Sequence, residues 1–251
     1  DWERGAIWID QVSQADMVLV QRDFAGNRQA FERILRLARA AKVKVIFDLD
    51  DLLLELPEDH PDRAINYYVH SLVPIIQAMV EADAVTVSTQ ALAEYVRSYN
   101  PNVYLLPNYL DDRLWKIFPP SIPVQQQQVV LGFIGGNSHL PDLQTITPVL
   151  IRLFERYNDR IALKVWGMDP PKELLAYSQV QVGEFIPSYA QFAARATERN
   201  CDIFLAPLRD NLFNRSKSWI KFLEYSSMGA PGVYSDIEPY RAVVIHGQNG
   251  F

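Results

Sequence analysis

The 251-residue chain is 49% hydrophobic and 22% charged, an ordinary globular composition with room for one large or two modest domains. A formal net charge of −6 and a pI of about 5.3 argue against a nucleic-acid-binding surface as its main business. The single cysteine, Cys201, excludes an intrachain disulfide and fits a reducing, cytoplasmic setting, and no run of about 18 apolar residues is present to span a membrane.

Taken in order, residues 15–21 form a short apolar run. In 28–41, Phe31, Ile34, Leu35, Leu37 and Ala38 recur at helical spacing, and 42–48 reads as a strand. Residues 67–81 predict a second helix, kinked at Pro74 because proline brings no amide hydrogen to the ladder. A strand over 83–88, a helix over 90–99, a turn at Tyr99, Asn100 and Pro101, and a strand over 102–107 follow. Such alternation predicts a parallel sheet. His60 and His70 are expected at surface or helix positions rather than in catalysis.

Residues 119–128, PPSIPVQQQQ, break the pattern with three prolines, four glutamines and no periodicity, the composition of a linker. The expected division is therefore 1–118, a linker over 119–128, and 129–251. The second half opens with a strand over 129–134, turns at Gly135 and Gly136, and continues with an amphipathic helix over 143–157. Strands over 161–165 and 180–182, a helix over 188–199 and an apolar strand over 202–208 complete a second alternating set. The fold class is α/β, two Rossmann-like halves.

After that last strand, either Ser216 or Ser218 is placed to cap a helix carrying Trp219, Ile220, Phe222, Leu223 and Met228, stopped by Gly229 and Pro231. The first turn of a helix has unpaired N–H groups and a partial positive charge, and Arg215, Lys217 and Lys221 surround the same point. A diphosphate fits there, with Glu224 about 12 Å along the axis from Ser216 to accept from a ribose. The bland alternative is a solvated basic patch with a surface glutamate.

The segment FNRSKSWIKFLEYSSMGAPGVYSDIEPY, with HGQNGF at the end, resembles the nucleotide-sugar-binding half of retaining glycosyltransferases of the B fold, near the large family-four group. Lys217, Lys221, Glu224, Gly229, Pro231, Ser235 and Asp236 match in order. The resemblance implies the two-domain GT-B layout, in a piece of a longer polypeptide incomplete at both ends whose other domains are partners. It makes Lys217, Lys221 and Glu224 the catalytic set, with Arg215, Ser216 and Ser218 also on the nucleotide sugar. The family carries two glutamates eight positions apart, whereas counting back from Glu224 gives Ser216; Asp210 is the other stand-in.

Earlier in the same half, Gly135 and Gly136 permit close backbone approach and Asn137, Ser138 and His139 supply donors, against the simpler reading of a tight turn with a capping serine. By resemblance this loop faces the donor diphosphate, while Phe185 and Ile186 line the nucleobase pocket. Trp166, after a buried strand, reads as core.

A competitor lies in residues 45–53, VIFDLDDLL, which resemble the first motif of haloacid-dehalogenase-type phosphatases. There Asp48 is nucleophile and Asp50 acid/base, both on Mg²⁺, with 84–89 imitating the second motif. Asp51 stands where those enzymes want glycine, and no later strand ends in their Gly-Asp. In the transferase reading Asp48, Asp50 and Asp51 orient acceptor hydroxyls instead. The expected activity is transfer of a sugar, with retention and without a metal or other cofactor, from a UDP- or GDP-linked donor to a saccharide, lipid or protein acceptor. A non-catalytic sugar-nucleotide-binding or assembly module and a sugar-nucleotide epimerase are the other readings compatible with this layout.

Overall fold

Four parallel strands and five stand side by side in two separate sheets, in a computed structural model that describes residues 9, 11–118, 128–196 and 201–251. Two compact units result: one holds the residues up to Glu58, Asp62–Pro107 and Ser216–Ser218, the other Asp59–Pro61, Asn108–Arg215 and Trp219–Phe251. Residues 108–118, expected with the first half, group with the second because Trp115 packs against Ala193 and Ala196. The expected linker lies outside the described residues apart from Gln128, as do the last three residues of the helix expected over 188–199.

The first half runs β1 (Met17–Gln21), α1 (Arg28–Ala41), β2 (Lys44–Leu49), α2 (Pro61–Ala64), α3 (Val69–Glu81), β3 (Ala84–Val87), α4 (Gln90–Val96) and β4 (Val103–Leu105). The strands are ordered β1-β2-β3-β4, with Phe47 in register between Val20 and Val85. In α1, Asn27 caps the first turn by accepting from the Ala30 amide at 3.3 Å, and Phe31, Ile34, Leu35 and Ala38 form the buried stripe. Lys42, expected to open a strand, ends this helix in a left-handed conformation, φ 59°, which lets its amide reach the Ala38 carbonyl.

α3 begins two residues later than its apolar pattern, since the Tyr67 amide is taken by the Asp62 carbonyl. α4 stops at Val96, and the buried Asn100 side chain ties the following turn to the end of α3 by donating to the Met79 and Ala82 carbonyls, both at 2.9 Å. His70 is exposed on α3. His60, expected at the surface, is 3% exposed and stands edge-on to Phe213, its apolar ring faces covered like any core aromatic.

The second half runs β5 (Val129–Ile134), α5 (Leu140–Tyr157), β6 (Ile161–Trp166), α6 (Lys172–Leu175), β7 (Val180–Gly183), α7 (Tyr189–Ala196), β8 (Ile203–Ala206), α8 (Leu212–Arg215), α9 (Ile220–Ser227) and β9 (Gly232–Tyr234). All five strands are parallel, in the order β7-β6-β5-β8-β9. Leu143, Leu150 and Phe154 of α5 bury against Leu131, Phe133, Leu163 and Val165 of the sheet. A second cluster gathers Phe204, Tyr225, Ala230 and Tyr240. Gly132 is required there, because a Cβ would come within 2.6 Å of the Phe204 ring.

The last helix departs from expectation at its start. α9 opens at Ile220 behind Trp219, with no side chain capping it. The cap position falls on Trp219 rather than on Ser218 or the fully buried Ser216. The short α8 intervenes, held by the Asn214 amide donating to Asn211 Oδ1 at 2.9 Å. The chain then ends α9 as expected, at Gly229 with φ 74° and Pro231 beyond.

Burial pushes the phenols of Tyr225, Tyr234 and Tyr240 above their ordinary value. In the unfolded chain each ionises near pH 10, while in the fold it stays neutral. Their contribution to stability is therefore complete below about pH 10 and is lost as pH rises through the higher folded values. Urea midpoints measured from neutral pH upward are expected to fall as the solution passes about pH 10. A flat midpoint across that range, with tyrosinate absorbance appearing before unfolding, contradicts it.

Candidate functional site

β6 and β8 lie on opposite sides of β5, so the chain reverses direction across the sheet between β5 and β8. At such a switch point the loops from the carboxyl ends of neighbouring strands part and leave a crevice. A pocket of about 250 Å³ occupies that end of the second unit. Ile134, Gly135 and Gly136 line it at the end of β5, Trp166 and Gly167 at the end of β6, and Glu184, Phe185, Ile186 and Pro187 after β7. Tyr189 and Phe192 come from α7 and Lys221 and Glu224 from α9.

Glycine is needed where the strand ends meet. Gly167 has φ 90°, and a Cβ there would lie 2.6 Å from the Gly135 carbonyl oxygen, while the Gly135 amide donates to the Trp166 carbonyl at 3.0 Å. A Cβ on Gly136 would meet nothing, so this backbone faces open space. Trp166, read as core from the sequence, packs against the Phe204–Tyr225 cluster and also lines the pocket: its ring lies over Gly183, where a Cβ would be 2.0 Å from Cδ1.

The lining combines aromatic side chains with an ion pair. Lys221 Nζ donates to Glu224 Oε2 at 2.8 Å, one helical turn apart, with the two side chains 19% and 6% exposed. Tyr189 and Phe192 stack with centroids 6.1 Å apart, and Trp115 Nε1 donates to the Tyr189 hydroxyl at 2.9 Å. Burial pushes the Tyr189 phenol up, with the Glu224 carboxylate adding to the effect, so the hydroxyl keeps its proton.

A buried carboxylate anchors the switch point. Asp142, in the first turn of α5, accepts from the Arg209 amide and from Asn214 Nδ2, both at 2.9 Å, and lies 3.1 Å from His139 Nδ1. It thereby fixes the loop after β8 to the loop after β5. The sequence signal for it was slight: an acid following Pro141 at a helix start.

Of the residues singled out in the sequence, Gly135, Gly136, Phe185, Ile186, Lys221 and Glu224 come together in the pocket. Asn137 lines an adjoining cavity of about 480 Å³ that shares Gly136, Gly167 and Phe185. Ser138 and His139 lie in the short turn leading into α5, outside the lining set. Arg215 is turned to the exposed Asp210, its Nη2 2.8 Å from Oδ2, so that neither Asp210 nor the buried Ser216 lines the pocket. Ser216, Lys217 and Ser218 group with the first unit.

In the first unit, Asp48, Asp50 and Asp51 sit at the carboxyl end of β2 and just beyond it. Asp48 Oδ1 accepts from Thr86 at 2.6 Å, and Arg22 Nη1 lies 2.7 Å from Asp50 and 3.5 Å from Asp51. Burial nevertheless outweighs the Arg22 guanidinium and pushes the Asp50 carboxyl up. Among the described residues no three His, Cys, Asp or Glu side chains gather as ligands for a metal, and no helix is long and apolar enough to cross a membrane.

Two parallel sheets with helices, the second ordered as a Rossmann sheet, give this chain the fold of the GT-B glycosyltransferases. Among solved structures it is similar to TarM, with TM-score 0.60 and 12% identity over 94% of this chain and 44% of that one. It is similar also to the pneumococcal O-GlcNAc transferase GtfA, solved with UDP and GlcNAc, with TM-score 0.59 and 14% identity over 97% of this chain and 47% of that one. WaaG, a glycosyltransferase involved in lipopolysaccharide biosynthesis, matches with TM-score 0.51 and 14% identity over 84% and 64%. The chain spans less than half the length of the first two. No protein-family model matches it, and no curated sequence does.

Proposed function

We propose that the chain is the sugar-transferring part of a glycosyltransferase that takes a hexose from a UDP- or GDP-linked donor and passes it to a hydroxyl of a saccharide, lipid or protein, with retention and without a metal. The observation that carries this reading is the pocket at the β5/β8 switch point, lined by aromatic side chains, a glycine backbone and the Lys221–Glu224 pair. A nucleobase suits the aromatic side chains and a diphosphate the glycine loop, where backbone can approach closely.

In front-face transfer the C1–oxygen bond to the diphosphate breaks as the acceptor oxygen bonds to C1 from the same side, and the acceptor proton leaves with the departing phosphate. The protein's part is to stabilise charge growing on that phosphate, which is electrostatic preorganisation. Lys221, which lines the pocket, is assigned to it; Lys217 and, more weakly, Arg215 join it on the strength of the resemblance. Glu224, with Oε2 held by Lys221, keeps Oε1 to accept from the ribose. Asp48, Asp50 and Asp51 are assigned to acceptor hydroxyls in the first unit.

Thermal unfolding with UDP, GDP, ADP and their sugars tests the donor assignment. A nucleotide at 100 times its dissociation constant adds about 2.7 kcal/mol, so the cognate one is expected to raise Tm by several degrees. If none of the panel moves Tm, the donor site is misassigned.

A further inference from the structure

Resting on the nucleotide site just proposed, we infer that Tyr189 is a specificity-determining residue that selects a nucleobase presenting a carbonyl oxygen over one presenting an amino group.

A free tyrosine hydroxyl donates and accepts, and so tells a ligand carbonyl from a ligand amine poorly. Here the accepting role is already used. Trp115 is 5% exposed, held by Ala193, Ala196 and Phe192, and its indole N–H donates to the Tyr189 oxygen, 2.9 Å away. With that hydrogen on one side of the oxygen, the phenolic hydrogen turns away from Trp115. The stack on Phe192 holds the Tyr189 ring, and so its oxygen, beside the Trp115 indole N–H. Trp115 thus makes Tyr189 a donor.

Tyr189 lines the pocket along with Phe185 and Ile186. A base seated there with a carbonyl edge, uracil or guanine, completes the hydrogen bond. Tyr189 is 47% exposed in the free chain, and a bound base would cover it; an amino group in the carbonyl's place, as in cytosine or adenine, then sets donor against donor. Sites built to hydrogen-bond one group reject the mismatched analogue far more strongly than apolar pockets reject a change of size.

UDP and CDP differ only on the pairing edge of the base, so titration calorimetry of the full chain with both reads the effect directly. The native protein is expected to bind UDP at least about tenfold more tightly than CDP, one well-paired bond at about 1.4 kcal/mol per decade. In Tyr189→Phe, which keeps the ring, the ratio should fall to within about twofold. Trp115→Phe should lower the ratio as well while leaving the hydroxyl in place, a result that loss of packing alone does not give. An unchanged ratio in folded Tyr189→Phe, or equal binding of UDP and CDP by the native chain, overturns this inference and leaves the donor site standing. Failure of every nucleoside diphosphate to bind overturns both.

Discussion

Lys221→Met is expected to lower stability by about 3–5 kcal/mol and turnover by about 10²–10³-fold. The first effect follows from Glu224, whose side chain is 6% exposed with its Oε2 2.8 Å from Lys221 Nζ. Removing the ammonium leaves a carboxylate in a nearly dry site without its counterion, and breaking one side of such a pair costs far more than the pair itself contributes. The second effect follows from the proposed chemistry, since a lost charge partner of the leaving diphosphate is lost in the transition state. The double variant Lys221→Met/Glu224→Gln separates them: urea denaturation should recover most of the stability, while sugar transfer by the full chain stays slow. A single variant as stable as the native protein removes the ion pair from the account of the fold. Normal turnover removes Lys221 from the mechanism.

Asp142→Ala should destabilise the second unit by about 3 kcal/mol or more, because the carboxylate satisfies two buried donors at once. The Arg209 amide and the Asn214 side chain, 3% exposed, have bonds of 2.9 Å to the same Oδ1. Without it the loops after β5 and β8 are no longer tied across the switch point, so nucleotide affinity should fall together with stability. Asp142→Asn keeps one acceptor and is expected to retain part of both. Chemical denaturation paired with nucleotide titration checks this, and a loss of stability with unchanged affinity shows that the tie does not shape the pocket.

The elements were mostly legible from the sequence. Apolar spacing in 28–41 gave α1 to the residue, and the largely apolar runs at 129–134 and 161–165, the latter broken only by Lys164, gave β5 and β6 within a residue, because burial of one helical face or both strand faces is recorded locally. The glycines at 135 and 136 likewise marked the strand end, Gly135 packed under the Phe133 ring and Gly136 facing open space. Element ends were less legible. Lys42 reads as strand by composition but ends a helix, and the run 216–219 looks like the opening of α9 until Ser216 is buried.

What sequence alone determined is therefore the set of strands and helices, the α/β class, and the identity of Gly135, Gly136, Phe185, Ile186, Lys221 and Glu224 as residues of interest. Tertiary structure decided which of those meet, and it supplied partners with no local trace. Trp115 and Tyr189 are 74 positions apart, and Asp142 and Asn214 are 72 apart. A hydrogen bond between such residues leaves no periodicity to read, because it exists only after the strands between them have taken their order in the sheet.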